Sequence, residues 1–161
     1  METHGPDDPL GPPLLAIYNT AYRWLTLKNY DLLFHEHVLL IVLGLTTHNL
    51  PREMRRRREA RQAGFRRPLS HVPAANAERS ANIAAMPVSA ILAADSGNRL
   101  VPLQQIESAV LSRRFGNCTL ALRLRDKTRP RFKWLNLSVN ADYDRVVETL
   151  TDLIPERFHA S

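Results

Sequence analysis

Strict alternation over Thr119–Arg125 constrains this chain more than any other feature. Leu120, Leu122 and Leu124 fall on one side of an extended segment, and Ala121, Arg123 and Arg125 on the other. A period of two rules out a helix there and demands a cover for the leucine face. Arg131–Leu137 repeats the pattern, with Phe132 and Trp134 on one side and Arg131, Lys133 and Leu135 on the other. Asp126–Pro130 between them reads as a turn, so the two segments predict a hairpin. Downstream, Tyr143, Val146, Val147, Leu150, Leu153 and Ile154 make one helical stripe. Asn140 is the expected cap, Asp142 and Asp144 sit where the helix dipole favours acids, and Pro155 stops the helix. Such a helix after a run of hairpins must bury its stripe on the sheet, which predicts an α+β, β-rich fold.

The preceding segments extend that sheet. Ala90–Ala94 reads as a strand and Asp95–Asn98 as a turn. Arg99–Leu103 reads as a strand, with Pro102 near its end marking an edge or a strand break rather than a central strand. Ile106–Arg114 is another strand candidate, with a short turn of helix at Gln104–Ile106 as the alternative start, and Phe115–Asn117 turns the chain again. Earlier, Asp31–Phe34 and Val38–Leu43 predict two strands joined at His35–His37. Val38–Leu43 is apolar on both faces and should be covered on both; sheet against one and a helix against the other is one arrangement that does so. Leu14–Leu27 has apolar residues near helical spacing and predicts a short helix; Tyr22, Trp24 and Thr26 make an extended start to the sheet the alternative.

Residues 1–13 carry four prolines and predict a disordered N-terminal tail, without the basic and apolar regions of a secretory signal. Residues 14–161 are expected to form a single domain interrupted by an insert at about 47–88. Within the insert, Asn49 and Pro51 suit a helix start, and Pro51–Ala63 is rich in helix formers with only Met54 and Ala60 as apolar residues. Ala74–Met86 predicts a second short helix.

The order of elements resembles the pleckstrin-homology-like superfold, bacterial type. The hairpin at Tyr30–Leu43, the Ile106–Val110 strand after Leu103, the pair Thr119–Arg125 and Arg131–Leu137, and the terminal helix Ala141–Ile154 carry the resemblance. It covers roughly residues 14–47 and 89–158, and the arginine-rich insert departs from it. The resemblance implies an antiparallel sheet or partly open barrel with a C-terminal helix packed over it. It also implies a non-enzymatic binding module for protein or anionic lipid.

Charge is segregated. The net +6 divides into +6 over Pro51–Pro68, +7 over Arg113–Lys133 and −7 over the remainder. Segregation of this kind points to an anionic partner more directly than an overall pI does. Arg52, Arg55, Arg56, Arg57, Arg58, Arg61, Arg66 and Arg67 form the first candidate surface; its bland alternative is a solvated helix or linker. Arg123, Arg125, Arg131 and Lys133 form the second, on one sheet face, with Lys127 and Arg129 at the turn; its bland alternative is edge protection and solubility. Phe132 and Trp134 alternate with these cations and so point to the core, which weakens a base-stacking role.

Other chemistry finds little support. His35 and His37 flank Glu36 and would share a face on a strand, but no third ligand is identifiable, so no metal and no cofactor is expected. Cys118 has Arg113 and Arg114 nearby, which would lower its pKa, yet lacks a recognisable base; a half-buried structural thiol is the expectation. No nucleotide loop or nucleophile elbow is present in the sequence. The reading is a cytoplasmic binding module, peripheral at a membrane where its basic segments engage lipid, with a protein or an anionic membrane surface as partner. The alternative is a nucleic-acid-binding accessory protein using the same arginines, and a small enzyme is the third reading.

Overall fold

In the computed structural model, residues 7–21, 29–44, 72–135 and 141–161 are described. The arginine run at Arg52–Arg67 and the expected Pro51–Ala63 helix lie outside them. The strands are β1 (Leu15–Ala21), β2 (Asn29–Phe34), β3 (Val38–Leu43), β4 (Arg99–Pro102), β5 (Ile106–Arg114), β6 (Asn117–Leu124), β7 (Arg131–Leu135) and β8 (Phe158–Ala160). The helices among the described residues are α1 (Val72–Ala84), α2 (Val88–Ala94) and α3 (Tyr143–Leu153), and Leu103–Gln105 forms a single 3-10 turn. The protein is a mixed α+β molecule.

All eight strands belong to one sheet in the order β4-β3-β2-β1-β7-β6-β5-β8. Neighbours run antiparallel except β5 and β8, which are parallel. The order describes two meanders, β1–β4 and β5–β7, joined by the pairing of Ala21 with Lys133. β4 and β8 are the edges, so the sheet is not closed. Pro102 ends β4, as the sequence predicts for an edge strand.

β1 corrects the expected helix over Leu15–Ala21 in favour of the extended alternative; the rest of the expected helix, 22–27, lies outside the described residues. Leu15 and Ile17 alternate into the core, and a register shift between Ile17 and Thr20 then moves the inward position by one residue. Inward residues at 15, 17 and 20 break strict alternation, so a period of two is not visible in this segment. Buried Thr20 donates its hydroxyl to the Tyr30 carbonyl at 2.8 Å, so its inward hydroxyl is satisfied at the bulge.

The strand expected at Ala90–Ala94 is corrected to a helix. Val88 and Ile91, three apart, are its buried positions, and Pro87 occupies the N-cap with φ −57°. Three alanines favour the helix intrinsically. The run Ala90–Ala94 taken alone is too short to reveal that period.

Two apolar clusters straddle the first meander. On one face Leu15, Ile17, Leu32, Phe34, Leu39 and Ile41 join residues of β5–β8 and the α3 stripe in the main core. Val146, Leu150 and Ile154 are completely buried there. On the other face Leu33, Leu40 and Val42 meet Ile91 of α2, with Ile83 of α1 alongside. β3 thus has sheet and helix cover on its two faces, as its uninterrupted apolar sequence requires. Each fully buried leucine contributes about 1.5–3 kcal/mol relative to an exposed one.

The expected cap Asn140 lies outside the described residues, and Asp142 caps α3 instead. Its carboxylate accepts the Arg145 N–H at 2.8 Å. Beyond α3, β8 is an element that the sequence analysis did not anticipate. Phe158 enters the core, and Arg157 donates to the carbonyls of Leu103 and Ile106 at 2.9 and 2.8 Å. Those bonds fix the chain end against the corner that leads into β5.

Candidate functional site

The β5–β6–β7 sheet has a second face, turned away from the core, and strand register determines what it displays. Val110 pairs with Ala121 and Ala121 with Arg131, while His159 of β8 pairs with Val110. One step along, Ser112, Thr119, Lys133 and Ala21 form the next row. Arg123 pairs with Ser108 on one side of these rows, and Arg114 pairs with Asn117 on the other. Successive rows on one face lie about 7 Å apart. Small side chains therefore floor the surface while cations stand on it. Arg114, Arg123 and Arg131 are exposed, and Lys133 is half-buried.

Three of the four cations expected on the hairpin, Arg123, Arg131 and Lys133, share this face. Arg125 lies one residue beyond β6, and its backbone N–H donates to the Gln105 carbonyl at 2.9 Å. It belongs to the corner before β5 rather than to the β6–β7 ladder. Arg123 is engaged by Glu107, Nε to Oε2 at 2.9 Å, with both side chains substantially exposed. Such a rim pair contributes at most about 1 kcal/mol and leaves the guanidinium accessible.

The β6–β7 turn is ordered by its one acid. Asp126 accepts the Thr128 hydroxyl at 2.6 Å and the Thr128 N–H at 2.8 Å. The two Thr128 hydrogen bonds, hydroxyl first, hold the Asp126 carboxyl below the usual carboxylate range, assisted by the charge of Arg99. Lys127 adopts a positive φ of 66° in this turn. Exposed Arg125, Lys127 and Arg129 surround Asp126.

The other end of the β5–β6 hairpin carries a residue that the sequence analysis treated only as part of a turn. Phe115 is fully exposed, at 102% of its reference area. Phe115 and Gly116 are the two turn residues, with φ 48° and 79°. The available signal was an aromatic residue at a position where Asn, Asp or Gly is favoured.

The remaining candidates separate. His35 is buried while His37 is exposed beside Glu36, so the two imidazoles do not share a surface. Among the described residues no group of three or more His, Cys, Asp or Glu is placed to hold a metal ion. Cys118 is completely buried rather than half-buried. Burial raises its thiol pKa and the Arg113 charge only partly opposes this, which corrects the lowered pKa suggested by the nearby arginines. Among the described residues no helix is long and apolar enough to cross a membrane. Comparison of the chain with protein-family models, curated proteins and solved structures finds no match.

Proposed function

We propose that this chain is a non-catalytic binding module of the pleckstrin-homology-like kind that docks on an anionic membrane surface. The observation that carries the reading is the outward face of β5–β7, where Arg123, Arg131 and Lys133 stand over a floor of Ser, Thr, Ala and Val side chains. A flat cationic face suits a plane of headgroups. Each basic residue near such a plane contributes about 1 kcal/mol, so three give reversible attachment rather than insertion. Two antiparallel meanders followed by a helix over the core support the fold part of the proposal.

Nucleic acid suits the face less well. Phe132 and Trp134, which alternate with its cations, are 0% and 4% exposed and offer bases no stacking platform. Co-sedimentation with phosphatidylserine-containing and pure phosphatidylcholine vesicles at low salt tests the proposal. Binding to the anionic vesicles alone is expected, and it should be lost in Arg131→Glu/Lys133→Glu. Equal, negligible sedimentation with both vesicle types would refute it.

A further inference from the structure

The tip of the β5–β6 hairpin combines two features that rarely coincide. Phe115 exposes its whole side chain to solvent. It also holds a φ of 48°, a left-handed conformation that bulky residues disfavour. Both turn residues have positive φ, as a type I′ turn requires, and Asn-Gly is the favoured sequence there. Asn in place of Phe would therefore serve the fold better while burying no less apolar surface. The aromatic is unfavourable for the turn and gains nothing from the core.

The surroundings of the tip are cationic on one side. Arg114 closes the hairpin opposite Asn117 on the outward face, one row from Lys133. The Arg113 guanidinium lies 4.9 Å from the centroid of the Tyr143 ring, which holds it towards α3 rather than the outward face. Asp142 and Asp144 flank Tyr143 at the start of α3, so the positive side of the tip is the side of Arg114 and the outward face. Gly116, Asn117 and Arg114 frame Phe115 with exposed, non-apolar positions. Among the described turn residues no apolar rim surrounds it of the kind that a protein interface of over about 1,000 Å² needs. A single aromatic projecting from a narrow tip next to cations matches the membrane interface instead, where aromatic rings sit at headgroup level and basic residues meet anionic lipid.

Building on the membrane-docking reading, we infer that Phe115 is an interfacial anchor that enters the bilayer surface while Arg114, Lys133 and Arg131 contact anionic headgroups. The outward face supplies long-range attraction, and the ring supplies the short-range apolar contact.

The decisive variant is Phe115→Asn in the full chain. It supplies the residue that the turn favours, so thermal stability should be unchanged or higher. Affinity for phosphatidylserine-containing vesicles should fall at least tenfold, the scale of losing one buried phenyl ring. A second measurement places the ring directly. Phe115→Cys carrying an environment-sensitive fluorophore should brighten and shift to the blue on those vesicles and not on pure phosphatidylcholine; Cys118, being completely buried, should escape labelling in the folded protein. Wild-type binding that Phe115→Asn leaves unchanged would overturn the anchor and spare the docking surface. Failure of wild type to bind any vesicle would overturn both. Affinity for a single-stranded oligonucleotide or a protein that depends on Phe115, without vesicle binding, would also overturn the anchor.

Discussion

Arg79 of α1 donates its Nε–H to the Oδ2 of Asp31 at 2.8 Å, across the face of β2 that looks away from the main core. Asp31 is 1% exposed, and the Arg79 guanidinium also lies 5.9 Å from the Tyr18 ring centroid. A carboxylate at an inward strand position next to Leu33 is costly unless paired. The pair therefore fixes α1 on the sheet. Arg79→Ala removes the guanidinium paired with the buried Asp31 carboxylate and should cost about 3–5 kcal/mol in urea denaturation. Asp31→Val/Arg79→Leu should recover most of that loss, because the desolvation penalty disappears with the charges. A double variant no more stable than Arg79→Ala would show that the pair has another role.

Asn98 makes a comparable link through neutral groups. Its Nδ2 donates to the Ile91 carbonyl at 2.7 Å, and its Oδ1 accepts the Leu43 N–H at 2.7 Å. One buried amide thus joins the last turn of α2 to the end of β3. Asn98→Leu leaves both backbone groups without this partner and should destabilise by roughly 2–6 kcal/mol, at about 1–3 for each unsatisfied group. Hydrogen exchange at the Leu43 amide is the local check, with protection there expected to fall more than at Leu40.

Most of the fold is legible wherever side-chain period and burial coincide. Leu120, Leu122 and Leu124 alternate without interruption, and β6 follows them closely. The α3 stripe predicts Val146, Leu150 and Ile154 as core positions, and they are completely buried. Legibility fails where geometry breaks the period. The bulge in β1 interrupts the alternation that would show a strand, and α2 has only two buried positions to show its period. β8 is three residues long with one core side chain, too little pattern to read. The candidate surface was half-visible: alternation put Arg123, Arg131 and Lys133 outward, but Arg125 needed the real end of β6 to place it. Phe115 was seen only as punctuation, because nothing local distinguishes an exposed aromatic in a turn from a buried one.

Gly97 illustrates a constraint of space rather than of backbone conformation. A Cβ built there would lie 2.6 Å from the Tyr30 Oη and 3.2 Å from its Cε1. Tyr30 belongs to the partly buried rim of the main core and cannot withdraw freely. Gly97→Ala should cost about 1–3 kcal/mol through this overpacking. Adding Tyr30→Phe removes the closest atom and should cost less in the Gly97→Ala background than in wild type. A thermodynamic cycle on the four proteins measures that coupling; strictly additive effects would place the strain elsewhere.

Cys118 provides a test of packing and a sign for pH dependence. The thiol is 0% exposed, between Arg113 of β5 and Trp134 of β7 in the ladder. An aromatic disulfide reagent should modify it only at the rate of unfolding, and fast modification in native buffer would contradict the packing. Burial raises its pKa in the folded state, so the unfolded chain loses its proton first. The contribution is fully present below the unfolded value of about 8.5 and is lost as pH rises through the folded value. Stability should therefore decline above about pH 8.5, and Cys118→Ala should flatten that part of the decline.

Glu107 sits at the irregularity between Ile106 and Ser108 and turns its carboxylate towards Arg123. It partly neutralises the face proposed for docking, while contributing little to stability from so exposed a position. Glu107→Gln separates these two roles. The carboxylate's charge is removed, the residue keeps its size, and Arg123 becomes available to an external anion. Denaturation midpoints should correspond to a change within about 1 kcal/mol. Affinity for phosphatidylserine-containing vesicles should rise roughly fivefold, the effect of one unit of charge near an anionic surface. The increase should vanish at high salt, where the Debye length shrinks to about 3 Å. Tighter binding that survived high salt, or no change in binding at all, would mean that Arg123 and its neighbours do not face the membrane.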